Sequence, residues 1–275
     1  MATKIVFIHG AFVNAASWEE FIPFFEQRGY EVMAPEWPRK EAGSAEDLGG
    51  LGVAEIVDQY HELIHAMPES PVIIGHSFGG LFTEILLDRG FGLAGVALDP
   101  APPKGVLRLA WSELKVASPA LAHLSKRDGT VELTPEEFDY GFTNTWPRDE
   151  AKKAYERYYV PETGRIFWQD AYANFAMHSP VAVDYGRTGR APLLMTAGEK
   201  DHTLPTAVVR SAHEKYAKRP ETRTDFHEFP ERSHLLMAGP GWQDVAEYVA
   251  AWLEEVLPAE ALPNTAAAGR EGTRR

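Results

Sequence analysis

Three side chains in this sequence have the types and order for acyl-transfer chemistry: Ser77, Asp201 and His234. Ser77 sits at the centre of Gly75-His76-Ser77-Phe78-Gly79, a match to G-x-S-x-G. A serine hydroxyl is a weak nucleophile. It needs a base within hydrogen-bond reach, and the base needs an acid to orient it. The chain order Ser, Asp, His is one of three unrelated orders that build this arrangement. Asp201 lies in Gly198-Glu199-Lys200-Asp201-His202, and His234 in Arg232-Ser233-His234-Leu235. Asp99 competes with Asp201 for the orienting role. It precedes Pro100-Ala101-Pro102-Pro103, which reads more simply as a rigid lead into the next segment, so Asp201 is preferred. Taken alone, the pentapeptide also suits a tight βα turn whose serine caps a helix. The surrounding elements have to decide.

Hydrophobic periodicity makes those elements legible. Residues 72–74 form a β-branched run that reads as a buried strand, and Leu81, Ile85 and Leu86 follow at helical spacing up to Gly90. A strand turning directly into a helix lifts the Ser77 hydroxyl to the helix head. There the Phe78 N–H and the helix dipole can meet developing negative charge. Further strands are predicted at 4–8, 31–34, 93–98, 192–197 and 226–229. Helical patterns fall between them: Trp18 to Phe25, Val53 to Met67, Thr206 to Ala217 and Trp242 to Val256. This alternation predicts an α/β fold with a doubly wound, mostly parallel sheet. Ligands of such sheets gather at the carboxyl ends of the strands. His9, Ser77, Asp99, Asp201 and His234 each fall just after a predicted strand.

Between 101 and 189 the alternation lapses into a helical, aromatic stretch that includes Trp111, Phe138, Phe142, Trp146, Tyr155, Tyr159, Phe167 and Tyr172. Thr134-Pro135-Glu136-Glu137 marks a helix start, with a threonine cap, proline in the first position and acids in the first turn. Aromatic helices usually supply core. This one follows a strand end, which predicts a cap whose inner face lines an apolar pocket. Phe12, Trp146 and His178 are candidates for substrate contact. The expected organisation is a core of residues 1–100 and 190–257, a helical cap of 101–189 and a disordered tail of 258–275.

Composition narrows the function class. A net charge of −13 argues against nucleic-acid and anionic-membrane partners, leaving a small molecule as the expected partner. The absence of cysteine removes a thiolate nucleophile, a disulfide framework and a Cys-bound zinc. No His/Asp/Glu spacing suggests a metal site and no cofactor is expected. No apolar run reaches bilayer length and the N-terminus leads straight into a strand, so the expected setting is cytoplasmic. Oligomeric state leaves no signature.

With His9-Gly10-Ala11, Gly75-His76-Ser77-Phe78-Gly79-Gly80, Gly198-Glu199-Lys200-Asp201 and Ser233-His234 assembled, residues 3 to about 257 resemble a capped α/β-hydrolase. The branch is that of esterases, haloperoxidases and plant methylesterases. The resemblance implies Ser77 as nucleophile, His234 as base then acid, and Asp201 fixing the histidine tautomer. It also implies the Ala11 and Phe78 N–H groups as oxyanion donors, Ala11 in preference to Phe12. His9 is expected to brace that loop and His76 to pack beneath the elbow. The expected reaction is hydrolysis of a small ester, lactone or thioester with an apolar or aromatic part. Triad-dependent lyase, carbon–carbon hydrolase or cofactor-free biosynthetic chemistry is the nearest alternative, and a non-enzymatic ligand receptor a remoter one. Leu235 stands where plant hydroxynitrile lyases carry Lys, which counts against a lyase of that type.

Overall fold

The computed structural model describes residues 2–40, 48–107, 121, 126–218 and 221–263. Apolar runs become strands β1 (Lys4–Ile8), β2 (Glu31–Met33), β3 (Val72–His76) and β4 (Ala94–Leu98). Two short strands, β5 (Thr130–Val131) and β6 (Glu162–Thr163), pair with each other antiparallel. Strands β7 (Leu193–Gly198) and β8 (Thr224–Phe229) then complete a six-stranded sheet in the order β2-β1-β3-β4-β7-β8. Every pairing in that sheet is parallel. Parallel ladders need crossovers, which helices supply.

Those helices are α1 (Phe21–Glu26), α2 (Val53–His65), α3 (Phe78–Asp88), α4 (Pro135–Phe138), α5 (Arg148–Tyr158), α6 (Gly164–Ala171), α7 (Thr206–Tyr216) and α8 (Trp242–Val256). Register shows how both sheet faces are covered. Phe7, Ile74, Val96 and Leu194 stand side by side on one face. The Phe7 ring there stacks on Trp18 at 4.6 Å and meets Phe21 and Phe25 edge-on, so this face belongs to α1. Helix α8 packs on the same side through Trp242, whose ring lies 6.2 Å from Phe21. The alternate row turns the other way. Ala97, Leu193, Met195 and Ala197 form a buried cluster with Val208, Val209, Ala212 and Tyr216 of α7. A strand buried on both faces has no polar side, which is why these strands read as continuous apolar runs.

Between β4 and β7 lies the insert. Its predicted helix start is present: the Thr134 hydroxyl accepts from Glu137 N–H while the Glu137 carboxylate accepts from Thr134 N–H. Helix α4 continues into a wider π-turn, Asp139–Thr143, that stacks Phe138 on Phe142 at 4.7 Å. The insert is not wholly helical, since β5 and β6 form its small antiparallel pair. Trp111 and residues 41–47 lie outside the described residues, as do 264–275 of the expected tail. Its first residues are ordered instead: Ala259–Ala261 form a 3-10 turn, and the Thr3 hydroxyl donates to Ala261 O. Low complexity concealed a docked turn because its contacts are long-range.

Candidate active site

The strand-to-helix turn after β3 holds Ser77 at φ 56° and ψ −120°. A side chain in that left-handed region is strained, and the strain persists only where neighbours over-determine it. They do so here. Ser77 N–H donates to Leu98 O at 2.9 Å, and Ser77 O accepts from Leu81 N and Ala101 N, each at 3.1 Å. At Gly75 an added Cβ would collide with the Gly79 carbonyl, and at Gly10 it would lie 2.8 Å from the Ser77 Cβ. Close backbone approach therefore requires both glycines. Ser77 occupies the N-cap position of α3, yet its hydroxyl makes no cap hydrogen bond. The helix-cap reading of the pentapeptide is thereby set aside, and the hydroxyl is left available.

Asp201 follows β7 in a turn that determines its orientation. Its Oδ1 accepts from Thr203 N at 2.6 Å and from Leu204 N at 2.9 Å. Its Oδ2 lies 2.7 Å from Nδ1 of His234, in the loop after β8, and both side chains are fully buried. Donation from Nδ1–H to Asp201 leaves the Nε2 lone pair as the basic position. His76 Nε2 contacts His234 O at 2.9 Å, and the two rings lie 4.5 Å apart. Burial, reinforced by neighbouring His234, pushes the His76 pKa well below the usual histidine value, so His76 braces the loop as a neutral ring. The Phe142 ring packs edge-on against His234 at 5.1 Å. His234 Nε2 has no hydrogen-bond partner among the described residues, so no bond joins it to Ser77. Catalytic contacts are often loose before substrate arrives.

Asp99, the rival acid, lies behind this pair rather than on His234 Nδ1. It is fully buried, and its Oδ1 accepts from Gly198 N at 2.7 Å. One oxygen from each aspartate and one His234 nitrogen lie within 4.8 Å of one another. That spacing could accommodate an ion. With both Asp201 oxygens and His234 Nδ1 already hydrogen-bonded, the arrangement reads as a proton network instead.

After β1 the chain passes over Ser77 through Gly10, Ala11 and Phe12. Phe12 N–H is engaged, donating to Glu162 Oε2 of β6 at 3.3 Å. The N–H groups of Ala11 and Phe78 have no protein acceptor among the described residues. His9 underlies this loop. Its Nδ1 lies 2.9 Å from Gly10 O, its ring stacks on Trp37 at 4.9 Å, and burial lowers its pKa despite Glu36 3.0 Å away.

Ser77 opens into a mainly apolar cleft with about 50 Å³ of free space, lined by Ala11, Phe12, Phe78, Ala101, Phe142, Phe167, Asp170, Thr203 and Leu204. The Phe167 ring stacks on Phe12 at 5.2 Å and meets Phe78 edge-on at 5.3 Å. Of the three sequence candidates for substrate contact, Phe12 is among the residues lining this cleft. Trp146 and His178 are not. Trp146 packs against Gly239, and His178 is exposed in the loop after α6. Phe142, Phe167 and Asp170 line the cleft in their place. Their only sequence signal was membership of the aromatic insert, because side-chain direction within it depends on tertiary packing.

The fold matches that of a known family. The alpha/beta hydrolase family model covers residues 5–255, and the chain belongs to that family. Among curated proteins, a pyrethroid hydrolase of Sphingobium wenxiniae is 28% identical over 78 residues, a match spanning 28% of either chain. Among solved structures, a methylesterase from Arabidopsis superposes with a TM-score of 0.69 at 13% identity, over 92% of this chain and all of that one. A pyrethroid hydrolase from Sphingobium faniae superposes with a TM-score of 0.67 at 19% identity, over 94% and 100% of the two chains. A monoacylglycerol lipase from Paleococcus ferrophilus does so with a TM-score of 0.66 at 19% identity, over 93% and 96%. Among the described residues, no helix is long and apolar enough to cross a membrane.

Proposed function

We propose that this protein is a serine hydrolase acting on a small carboxylic ester, lactone or thioester with an apolar or aromatic part. The observation that carries the reading is the buried His234–Asp201 pair at 2.7 Å on the same sheet edge as a strained, uncapped Ser77. In the reaction, His234 Nε2 takes the Ser77 proton as Oγ attacks the substrate carbonyl. Asp201 stabilises the imidazolium that forms. The carbonyl oxygen becomes an oxyanion between the Ala11 and Phe78 N–H groups, whose freedom from other acceptors suits that role. His234 then protonates the departing alcohol or thiol, leaving Ser77 acylated. Water deprotonated by His234 attacks the acyl group, and the acid leaves as Ser77 recovers its proton.

The insert acts as a cap in this reading. Phe142 and Phe167 bring apolar surface to the Ser77 cleft, favouring an aliphatic or aromatic substrate portion over a charged one. Names of the related proteins, which include pyrethroid hydrolases and a methylesterase, are consistent with ester cleavage as the reaction class. The test uses the purified protein, a series of chromogenic esters and a fluorophosphonate probe. Ser77→Ala and His234→Ala are each expected to lower kcat by roughly 10³-fold or more, with Ser77 the labelled residue in the native protein. Unlabelled Ser77 in folded protein, or wild-type turnover by Ser77→Ala, would overturn the assignment.

A further inference from the structure

Two acids from neighbouring strand ends converge behind His234, and the mechanism above uses only one. Asp99 is 0% exposed and Asp201 is 4% exposed. An oxygen of each lies within 4.8 Å of the other and of a His234 nitrogen. The donors are unequally shared. Asp201 Oδ1 receives two backbone N–H groups and its Oδ2 receives His234, an environment built for a carboxylate anion. Asp99 receives one N–H, from Gly198, and its Oδ2 is buried with no partner among the described residues. A buried carboxylate oxygen without a donor is costly unless it carries the proton itself. Two like charges this close in a dry site also do not ionise together. Among the described residues neither aspartate pairs with a lysine or arginine, and His76 beside His234 is neutral.

We propose that Asp99 is a protonated positioning residue: its O–H donates to the Asp201 carboxylate, localising the single negative charge of the pair beside His234. Asp99 is also the second acid of the site. Once the Asp201 charge is removed, it releases its proton to solvent and faces the imidazolium as an anion. Burial and the Asp201 charge both push the Asp99 carboxyl well above the usual aspartate range, in keeping with this geometry. The inference rests on the serine-hydrolase reading for its kinetic consequence, while the shared proton itself does not depend on turnover.

Two measurements test it. In kinetics with a chromogenic ester, Asp201→Asn is expected to lower kcat/KM about a hundredfold, because Asp99 partly takes over. The double variant Asp99→Asn/Asp201→Asn is expected to lose about 10⁴-fold, the scale seen when a triad lacks its acid. Asp99→Asn alone should cost less than about tenfold, since its amide still donates to Asp201. In infrared difference spectra near neutral pH, the wild type should contain a protonated-carboxyl stretch that Asp99→Asn lacks. Glu84, whose pKa is about 8, contributes a separate band common to both and cancels. A double variant no slower than Asp201→Asn, or a difference spectrum without the band, overturns the proposal. Failure of the hydrolase reading is distinguishable, because it leaves Ser77 unlabelled by fluorophosphonate while the infrared band persists.

Discussion

Ser77 holds a backbone shape whose intrinsic cost is of order 1–3 kcal/mol, and each neighbour that enforces it is correspondingly intolerant. Gly75 is the clearest case. A methyl there would press into the Gly79 carbonyl and the Thr83 hydroxyl, and backbone cannot rotate away as a side chain can. Gly75→Ala is therefore expected to destabilise the protein by about 3 kcal/mol and to abolish fluorophosphonate labelling of whatever folds. Thermal melts and labelling of the soluble fraction check both parts. A Gly75→Ala variant that melts and labels like wild type would mean the elbow is less constrained than its contacts imply.

At the scale of elements, the insert grips the loop that carries the proposed oxyanion donor. Val160 N–H donates to Phe12 O at 3.0 Å, Asn14 N–H donates to Tyr158 O at 3.0 Å, and Val13 bridges Tyr159. Glu162 of β6 adds a charged anchor. Its Oε2 accepts from Phe12 N–H and pairs with Lys40 Nζ at 2.5 Å, with both charged side chains almost wholly buried. Removing one member of a buried pair strands the other charge, at a cost of about 3–5 kcal/mol. Glu162→Leu is thus expected to lower the melting temperature markedly. It should also reduce kcat more than it raises KM, because the loop beside Ser77 loses its anchor. A variant that melts earlier yet keeps full kcat would assign Glu162 to stability alone.

For the molecule as a whole, one buried acid sets a pH dependence. Glu84 on α3 is fully buried against Tyr216 of α7, whose hydroxyl donates to it at 2.7 Å. Burial raises its pKa from 4.5 to about 8. Between those values the native state keeps a proton that the unfolded chain has lost. Stability from this group is therefore greatest at low pH, declines as pH rises from about 4.5 to about 8, and levels off above. Glu84→Gln preserves the Tyr216 contact and removes the titration, so its melting temperature should fall less than that of wild type between about pH 5 and about pH 9. Parallel slopes for the two proteins would place the Glu84 proton elsewhere.

Much of this architecture was already legible from local pattern. Strands buried on both faces must be apolar throughout, so β1, β3, β4 and β7 announce themselves, and the Ser, Asp, His order places three groups on one sheet edge. The alternation of strands and helices settles the sheet's parallel character because parallel neighbours require crossovers. Contacts between distant segments are another matter. That Phe142 and Phe167 rather than Trp146 and His178 line the cleft, and that Glu162 and Lys40 meet across 122 positions, both follow from packing. Periodicity encodes which face of an element is buried, but not what it is buried against. The Ser77 elbow is written in five consecutive residues; the charge and apolar surface around it exist only once the chain has closed on itself.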